Sequence, residues 1–179
     1  MSAPRDAGAP RPAPEATIRR ARRADEAEAV GLWRLLQAGH EAQDGRYRVS
    51  GDAAARWATD FRTWVRAHTA RVWVAEAPAP EAPGARLVGL CTALLADPSP
   101  MYRGGSFVFV GDIVTAPAWR GRGLGHRLVR EARAWAREVG AAEIRAGVLA
   151  TNPAGRRFWA REGADDFSVT VTIPLERGG

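Results

Sequence analysis

Apolar residues recur along the first half of the chain at the spacing of amphipathic helices. A first helix is predicted to start after Asp25, which can cap it, and to end at Gly39. Its apolar face consists of Ala29, Leu32, Trp33 and Leu36. A second helix is predicted to start at Asp52 and carries the aromatic stripe Trp57, Phe61, Trp64 and Val65. Core packing explains this second stripe best, and one or two of its tryptophans could instead line an acceptor pocket.

Runs rich in β-branched and aromatic residues predict the strands. They cover residues 18–21, 71–76, 86–96, 106–110, 143–150 and 167–175. A proline-rich connector, 77–85, follows the second strand, and a short helix from Pro153, capped by Asn152, precedes the last one. Residues 1–16 are expected to form a disordered tail. Residues 17–179 are expected to form one domain, because a chain of 179 residues is short for two.

A glycine-rich loop follows the strand region that begins at residue 106 and leads into a third helix. Its glycines are Gly121, Gly123 and Gly125, and the helix has an apolar face of Leu124, Leu128, Ala132, Trp135 and Val139. The first N–H groups of a helix have no partners within the helix, and glycine lets an anion approach the backbone closely. The loop therefore predicts a phosphate site, to which Arg120, Arg122 and Arg127 add charge. A glycine-rich connector with solvated arginines is the alternative interpretation.

The glycine spacing excludes two common phosphate loops. The dinucleotide fingerprint requires Gly-x-Gly-x-x-Gly, whereas this chain has Gly-x-Gly-x-Gly. The nucleoside-triphosphate loop requires a lysine, and the chain has none.

The loop resembles the Arg/Gln-x-x-Gly-x-Gly/Ala signature of the GNAT superfamily of N-acetyltransferases, as Arg120-x-x-Gly123-x-Gly125. Residues 112–117 are similar to the strand end that precedes this signature, and the order of elements is similar over residues 17–175. The resemblance implies an α/β (α+β) fold. It would be a single domain with a mixed, mostly antiparallel sheet, a splayed pair of parallel strands and about four flanking helices. It also implies that the last strands could form a homodimer.

The same resemblance implies acetyl-CoA as the cofactor. The pantetheine arm would enter the splay and pair with the backbone of Ile113, Val114 and Thr115. The diphosphate would bind the loop residues Arg120, Gly121, Arg122, Gly123, Leu124, Gly125 and His126.

Residues 152–164 resemble a second family segment, Asn-x-x-Ala-x-x-x-Tyr-x-x-x-Gly-Phe, and place Asn152 and Trp159 at the cofactor. Gly155, Trp159 and Ala164 differ from this pattern. In many relatives the tyrosine is thought to protonate the departing thiolate, which an indole N–H cannot do. The thiolate would then leave unassisted or through water, another group would substitute, or catalysis would be lost.

Asp112 lies where relatives often carry an acidic residue, and it is the candidate general base or water-positioning group. The alternative is a structural carboxylate paired with arginine. Glu41, Asp44, Tyr47 and Tyr102 lie in segments that form the acceptor side in relatives, where they could bind an ammonium or a hydroxyl.

Composition narrows the function further. The formal charge is +6, and all 26 basic residues are arginines scattered along the chain, which indicates compositional bias and no nucleic-acid partner. The single cysteine, Cys91, lies in an apolar run and is expected to be a buried structural thiol. No metal-ligand spacing, apolar membrane segment or signal peptide is present, so we expect a soluble, cytoplasmic protein without a membrane partner.

The sequence thus predicts an acetyl-CoA-dependent N-acetyltransferase that acts on a primary amine of a small molecule by direct attack in a ternary complex. No acetyl-enzyme is expected, because neither motif contains a cysteine. Two alternatives remain at this point: an acetyltransferase of protein N-termini or lysine side chains, and a non-catalytic acyl-CoA-binding sensor.

Overall fold

The structure, a computed structural model, describes residues 15–78 and 85–175. The chain divides into two compact units, one that ends at Gly147 and one that begins at Val148. Most of the predicted tail, and residues 79–84 of the predicted connector, lie outside the described residues. Ala16, at the end of that predicted tail, is buried, and its carbonyl oxygen accepts a hydrogen bond from Arg127 at 2.9 Å.

The described part of the first unit contains a five-stranded mixed sheet in which the strands are neighbours in chain order. The strands are β1 (Thr17–Arg20), β2 (Ala70–Pro78), β3 (Ala85–Ala96), β4 (Phe107–Thr115) and β5 (Glu143–Ala146). β1 to β4 pair antiparallel, and β5 lies parallel to β4. The parallel pair requires a crossover, which the helix between the two strands supplies.

Helices cover both faces of this sheet. α1 (Glu26–Gln43) and α2 (Ala53–Trp64) pack on one face, against a core that includes Val72, Val74, Leu90 and Val114. α3 (Leu124–Glu138) packs on the other face, where Trp135 contacts Trp73 edge to face at 6.1 Å. The α/β fold expected from the order of elements is confirmed.

A β-bulge at Gly111 changes which face of the sheet the end of β4 presents. Val110 pairs with Ala93 and Asp112 pairs with Thr92, so Gly111 is the extra residue. Neighbouring residues of β3 point to opposite faces, and Val110 and Asp112 therefore do so as well. The bulge turns Asp112 toward α1 and α2, whereas Val110 points toward α3.

The second unit contains α4 (Pro153–Arg161). The predicted cap is confirmed, because Oδ1 of Asn152 accepts a hydrogen bond from the Gly155 N–H at 2.7 Å. The predicted strand 167–175 is wrong, since the structure assigns these residues no regular secondary structure. Its alternating apolar side chains, Phe167, Val169, Val171, Ile173 and Leu175, are 72–87% exposed, so the burial that would favour a strand is missing.

Other features also differ from the sequence predictions. β4 continues past its predicted end at residue 110 to Thr115. α1 passes through Gly39 to Gln43, since an interior glycine costs a helix only about 1 kcal/mol. Asp25 lies at the start of α1, but its carboxylate accepts from the Arg22 N–H and from Arg19 and makes no cap bond to α1. β5 covers only the first half of its predicted range. None of the helices in the described ranges is both long and apolar enough to cross a membrane.

Candidate functional site

The end of β4 has one edge that no strand of the described ranges covers. β5 pairs with Phe107–Val110 only, whereas β4 continues to Thr115. On the other side, β3 pairs with β4 as far as Thr115. The backbone of Ile113, Val114 and Thr115 therefore presents hydrogen-bonding groups along the outer edge, where the parallel strands part.

The glycine loop lies between β4 and α3. Gly121 and Gly123 adopt the left-handed conformation, with φ of 74° and 73°. Gly123 caps α3, and its carbonyl oxygen accepts the first helical hydrogen bond, from Arg127, at 3.1 Å. The N–H groups of Leu124 and Gly125 fall in the first turn, where a helix has no acceptor for them. This loop has the backbone conformation that an anion site at a helix N-terminus requires.

The basic side chains around the loop differ in their exposure and in their partners. Arg120 and Arg122 are exposed, and the Arg122 guanidinium lies 5.2 Å from the centre of the Trp119 ring. His126 is exposed on the first turn of α3. Arg127 donates to the Ala16 carbonyl at 2.9 Å, so its guanidinium already has a partner within the protein.

Asp112 lies on the other face of the sheet and is 9% exposed. Its Oδ2 accepts a hydrogen bond from the Trp57 indole N–H at 3.1 Å and another from the Thr92 hydroxyl at 2.8 Å. The Thr92 hydroxyl in turn accepts the backbone N–H of Asp112 at 2.9 Å. Oδ1 receives no hydrogen bond from the described residues and is not among the buried atoms that lack a partner, so it is not fully buried. No arginine of the described residues forms an ion pair with Asp112.

Burial raises the pKa of Asp112 above its ordinary value. The hydrogen bonds from Thr92 and Trp57, and the charge of His40, act in the opposite direction because they favour the ionised carboxylate. The carboxyl group therefore binds a proton more readily than a surface aspartate does, as a proton acceptor in catalysis requires.

The tryptophans of α1 and α2 pack as a cluster beside Asp112. Trp57 stacks on Trp33 and Phe61 with ring centres 5.7 and 5.5 Å apart, and Trp64 meets it edge to face at 6.0 Å. Core packing, the preferred interpretation of the aromatic stripe of α2, is confirmed for the buried Trp57. The hydrogen bond from Trp57 to Asp112 has no signal in the sequence.

Three of the four predicted acceptor residues lie near the end of α1, and two of those are already paired. Glu41 accepts from Arg48 at 2.8 Å, and Asp44 accepts from Arg46 at 2.9 Å, which lowers the pKa of Asp44 to about 2. Tyr47 is half-exposed and meets the His40 ring at 6.0 Å.

The fourth residue, Tyr102, is 73% exposed and lies in the loop between β3 and β4. The structure therefore groups Glu41, Asp44 and Tyr47 and leaves Tyr102 on a separate segment.

In the second unit, the Asn152 side chain is engaged by its cap bond to α4. A Cβ at Gly155 would lie 2.7 Å from Nδ2 of Asn152, so a larger residue here would require the Asn152 side chain to shift. Trp159 is half-buried, and Phe158 meets its ring edge to face at 5.2 Å.

Comparison with known proteins agrees with this architecture. The model of the acetyltransferase (GNAT) family matches residues 27–164. A tetramutant protein from Bacillus halodurans has a similar structure, with a TM-score of 0.74 at 20% identity over 89% of this chain and 99% of that one. No curated protein matches the sequence significantly.

Two aminoglycoside N-acetyltransferases are also similar in structure. One, AAC(6')-Iy in complex with CoA, has a TM-score of 0.71 at 18% identity over 94% of this chain and 99% of that one. The other, from Acinetobacter haemolyticus, has a TM-score of 0.66 at 15% identity over 90% and 99% of the two chains.

Proposed function

The chain belongs to the GNAT acetyltransferase family, and we propose that it transfers the acetyl group of acetyl-CoA to a primary amine of a small molecule. The observation that carries this proposal is the glycine loop, whose left-handed Gly123 opens the N-terminus of α3 beside the uncovered edge of β4. The similar AAC(6')-Iy structures contain CoA or a CoA conjugate, which supports the same cofactor here. Because its one cysteine is a buried free thiol, we also propose a cytoplasmic location.

The residues present fit acetyl-CoA. The loop from Arg120 to His126 would hold the diphosphate with its N–H groups, and Arg120 and Arg122 would add charge. The β4 edge, Ile113 to Thr115, would pair with the pantetheine amides. For Asn152 and Trp159, the cofactor role that the family resemblance implies stays a prediction. Acetyl-CoA supplies the activated thioester.

The remaining chemistry belongs to Asp112. An amine attacks a thioester only after it has lost a proton, and Oδ1 of Asp112 would accept this proton directly or through a water molecule. Attack in a ternary complex needs no enzyme nucleophile. Cys91 cannot serve as one, because it is buried and burial raises the pKa of its thiol.

The charges near the end of α1 favour an acceptor with a single ammonium group. Every carboxylate between His40 and Arg56 has an arginine partner, in the pairs Glu41–Arg48, Asp44–Arg46 and Asp52–Arg56. A polycationic acceptor needs several free carboxylates, which these pairs do not provide.

We therefore expect kcat/KM for apolar monoamines to exceed that for aminoglycosides by about tenfold or more. Thiol release from acetyl-CoA, measured with a panel of both kinds of amine, checks this expectation. The variant Arg46→Ala removes the partner of Asp44 and should raise kcat/KM for aminoglycosides relative to that for monoamines. Equal or better use of aminoglycosides by the unmodified protein would contradict this specificity.

The second candidate function, an acyl-CoA sensor, is supported by Trp159. This residue replaces the tyrosine that is thought to protonate the thiolate in relatives. Thiol pKa values are ~8–9, however, so a thiolate can leave without that proton. We expect Trp159→Phe to retain much of the activity and Trp159→Tyr to be neutral or faster. The wild-type rate should show no loss at high pH that a phenol at this position would cause. Steady-state kinetics of both variants, with CoA affinity by calorimetry, test this. A folded, CoA-binding Trp159→Phe protein without turnover would show that the indole N–H has a specific role.

A further inference from the structure

Two donors from two different elements hold one oxygen of Asp112, and we infer that the first of them, Trp57, is a positioning residue for acetyl transfer. Its indole N–H holds Oδ2 at 3.1 Å, together with the Thr92 hydroxyl at 2.8 Å. This leaves Oδ1 to meet the acceptor amine or its water. The inference rests on the proposed function, in which Asp112 accepts the proton.

The indole of Trp57 cannot change its direction easily. It is 6% exposed and is packed between Trp33 and Phe61, with Trp64 against its edge. A ring enclosed by three aromatic neighbours keeps one rotamer, because a second would need empty space that a packed core does not provide. The N–H of Trp57 therefore points to Oδ2 in a fixed direction.

Thr92, on β3, donates a hydrogen bond to the same oxygen of Asp112. Its hydroxyl donates to Oδ2 and accepts the backbone N–H of Asp112, so both of its hydrogen-bonding roles are engaged. Two donors on one oxygen restrain the orientation of the carboxylate more strongly than one donor does. Removal of the Trp57 N–H should therefore leave the reactive oxygen less well placed.

Loss of the Trp57 donor should also change the proton affinity of Asp112. A hydrogen bond to a carboxylate lowers its pKa, so removal of the donor raises the pKa of Asp112 further. The titratable groups that interact with Asp112 are His40 from α1 and Cys91 from β3, and α2 contributes the neutral Trp57. Cys91 stays protonated because burial raises the pKa of its thiol, which leaves His40 as the charge to control.

The test compares Trp57→Phe with Trp33→Phe. Each change removes one indole from the same stack, but the structure shows a hydrogen bond to Asp112 from Trp57 only. We expect Trp57→Phe to shift the acid limb of the kcat/KM profile upward by about one pH unit, with CoA affinity unchanged. Trp33→Phe should lower the melting temperature without this shift. The same comparison in a His40→Gln background removes the contribution of the histidine.

A carboxyl titration of Asp112 by ¹³C NMR follows the same shift without any turnover. If Trp57→Phe and Trp33→Phe give the same titration, the inference is overturned, whatever the activity of the protein. If the wild-type protein acetylates no amine while the two titrations differ, the proposed function is wrong. The positioning of the Asp112 carboxylate by Trp57 is then still supported. Should Trp57→Phe not fold, Thr92→Val against the conservative Thr92→Ser makes the same comparison through the second donor.

Discussion

Asp112→Asn is expected to lower kcat/KM by about 10²-fold or more while it leaves CoA affinity almost unchanged. An amide can accept the hydrogen bonds of Trp57 and Thr92 through its oxygen, so the side chain stays in place. It cannot take a proton from the acceptor amine. Steady-state kinetics and calorimetry with CoA measure the two quantities separately.

The same variant should be at least as stable as the wild-type protein at neutral pH. Burial raises the pKa of Asp112, so the folded protein binds this proton more tightly than the unfolded chain does. The resulting stability is present at pH below the ordinary carboxyl value of about 4 and is lost as the pH rises through the raised pKa.

Asparagine has no charge to bury. Its advantage in melting temperature should therefore appear at neutral pH and shrink as the pH falls toward about 4. A lower melting temperature at neutral pH with near-normal activity would instead identify a structural carboxylate.

Gly123→Val is expected to weaken CoA binding by about 10²-fold, because the loop would lose the left-handed turn that opens the first N–H groups of α3. A β-branched residue is strained at the φ of 73° found there. An added Cβ meets no atom within 4 Å, so backbone strain and not a collision causes the effect.

Gly140→Val is the matched control. Gly140 follows the other end of α3, has a φ of 69° and also has nothing within 4 Å of an added Cβ. Both variants should lose similar stability, but only Gly123→Val should lose CoA affinity. Unchanged affinity in a folded Gly123→Val protein, measured by calorimetry, would contradict the cofactor site. Arg120→Ala, as a companion, should weaken CoA more than it weakens pantetheine analogues without the diphosphate.

Local signals were sufficient to predict the parts of the fold that depend on short stretches of sequence. The glycine spacing, the apolar face of α3 and the cap at Asn152 each arise within a few residues, and the structure confirms the loop position and both helices. The strand predicted at 167–175 failed because alternation shows only that a segment could pair, and it does not provide a partner.

The environment of Asp112 could not be predicted in the same way. Alternation places Val110 and Asp112 on one face of β4, and only the bulge at Gly111 separates them. The indole of Trp57, 55 residues away in sequence, reaches Asp112 through tertiary packing. The arginine partners of Glu41 and Asp44 depend on side-chain geometry near the end of α1. Each of these features follows from contacts that no short pattern encodes.

The most direct test of acetyl transfer in a ternary complex is mass spectrometry of products and protein after incubation with acetyl-CoA and a mixed library of amines. We predict amines that gain one acetyl group, an equal release of CoA, and a protein whose mass does not change. Binding of CoA without acetylation of any amine would contradict an enzyme and favour a sensor. An acetyl group that forms on the protein and then passes to the amine during turnover would contradict direct attack.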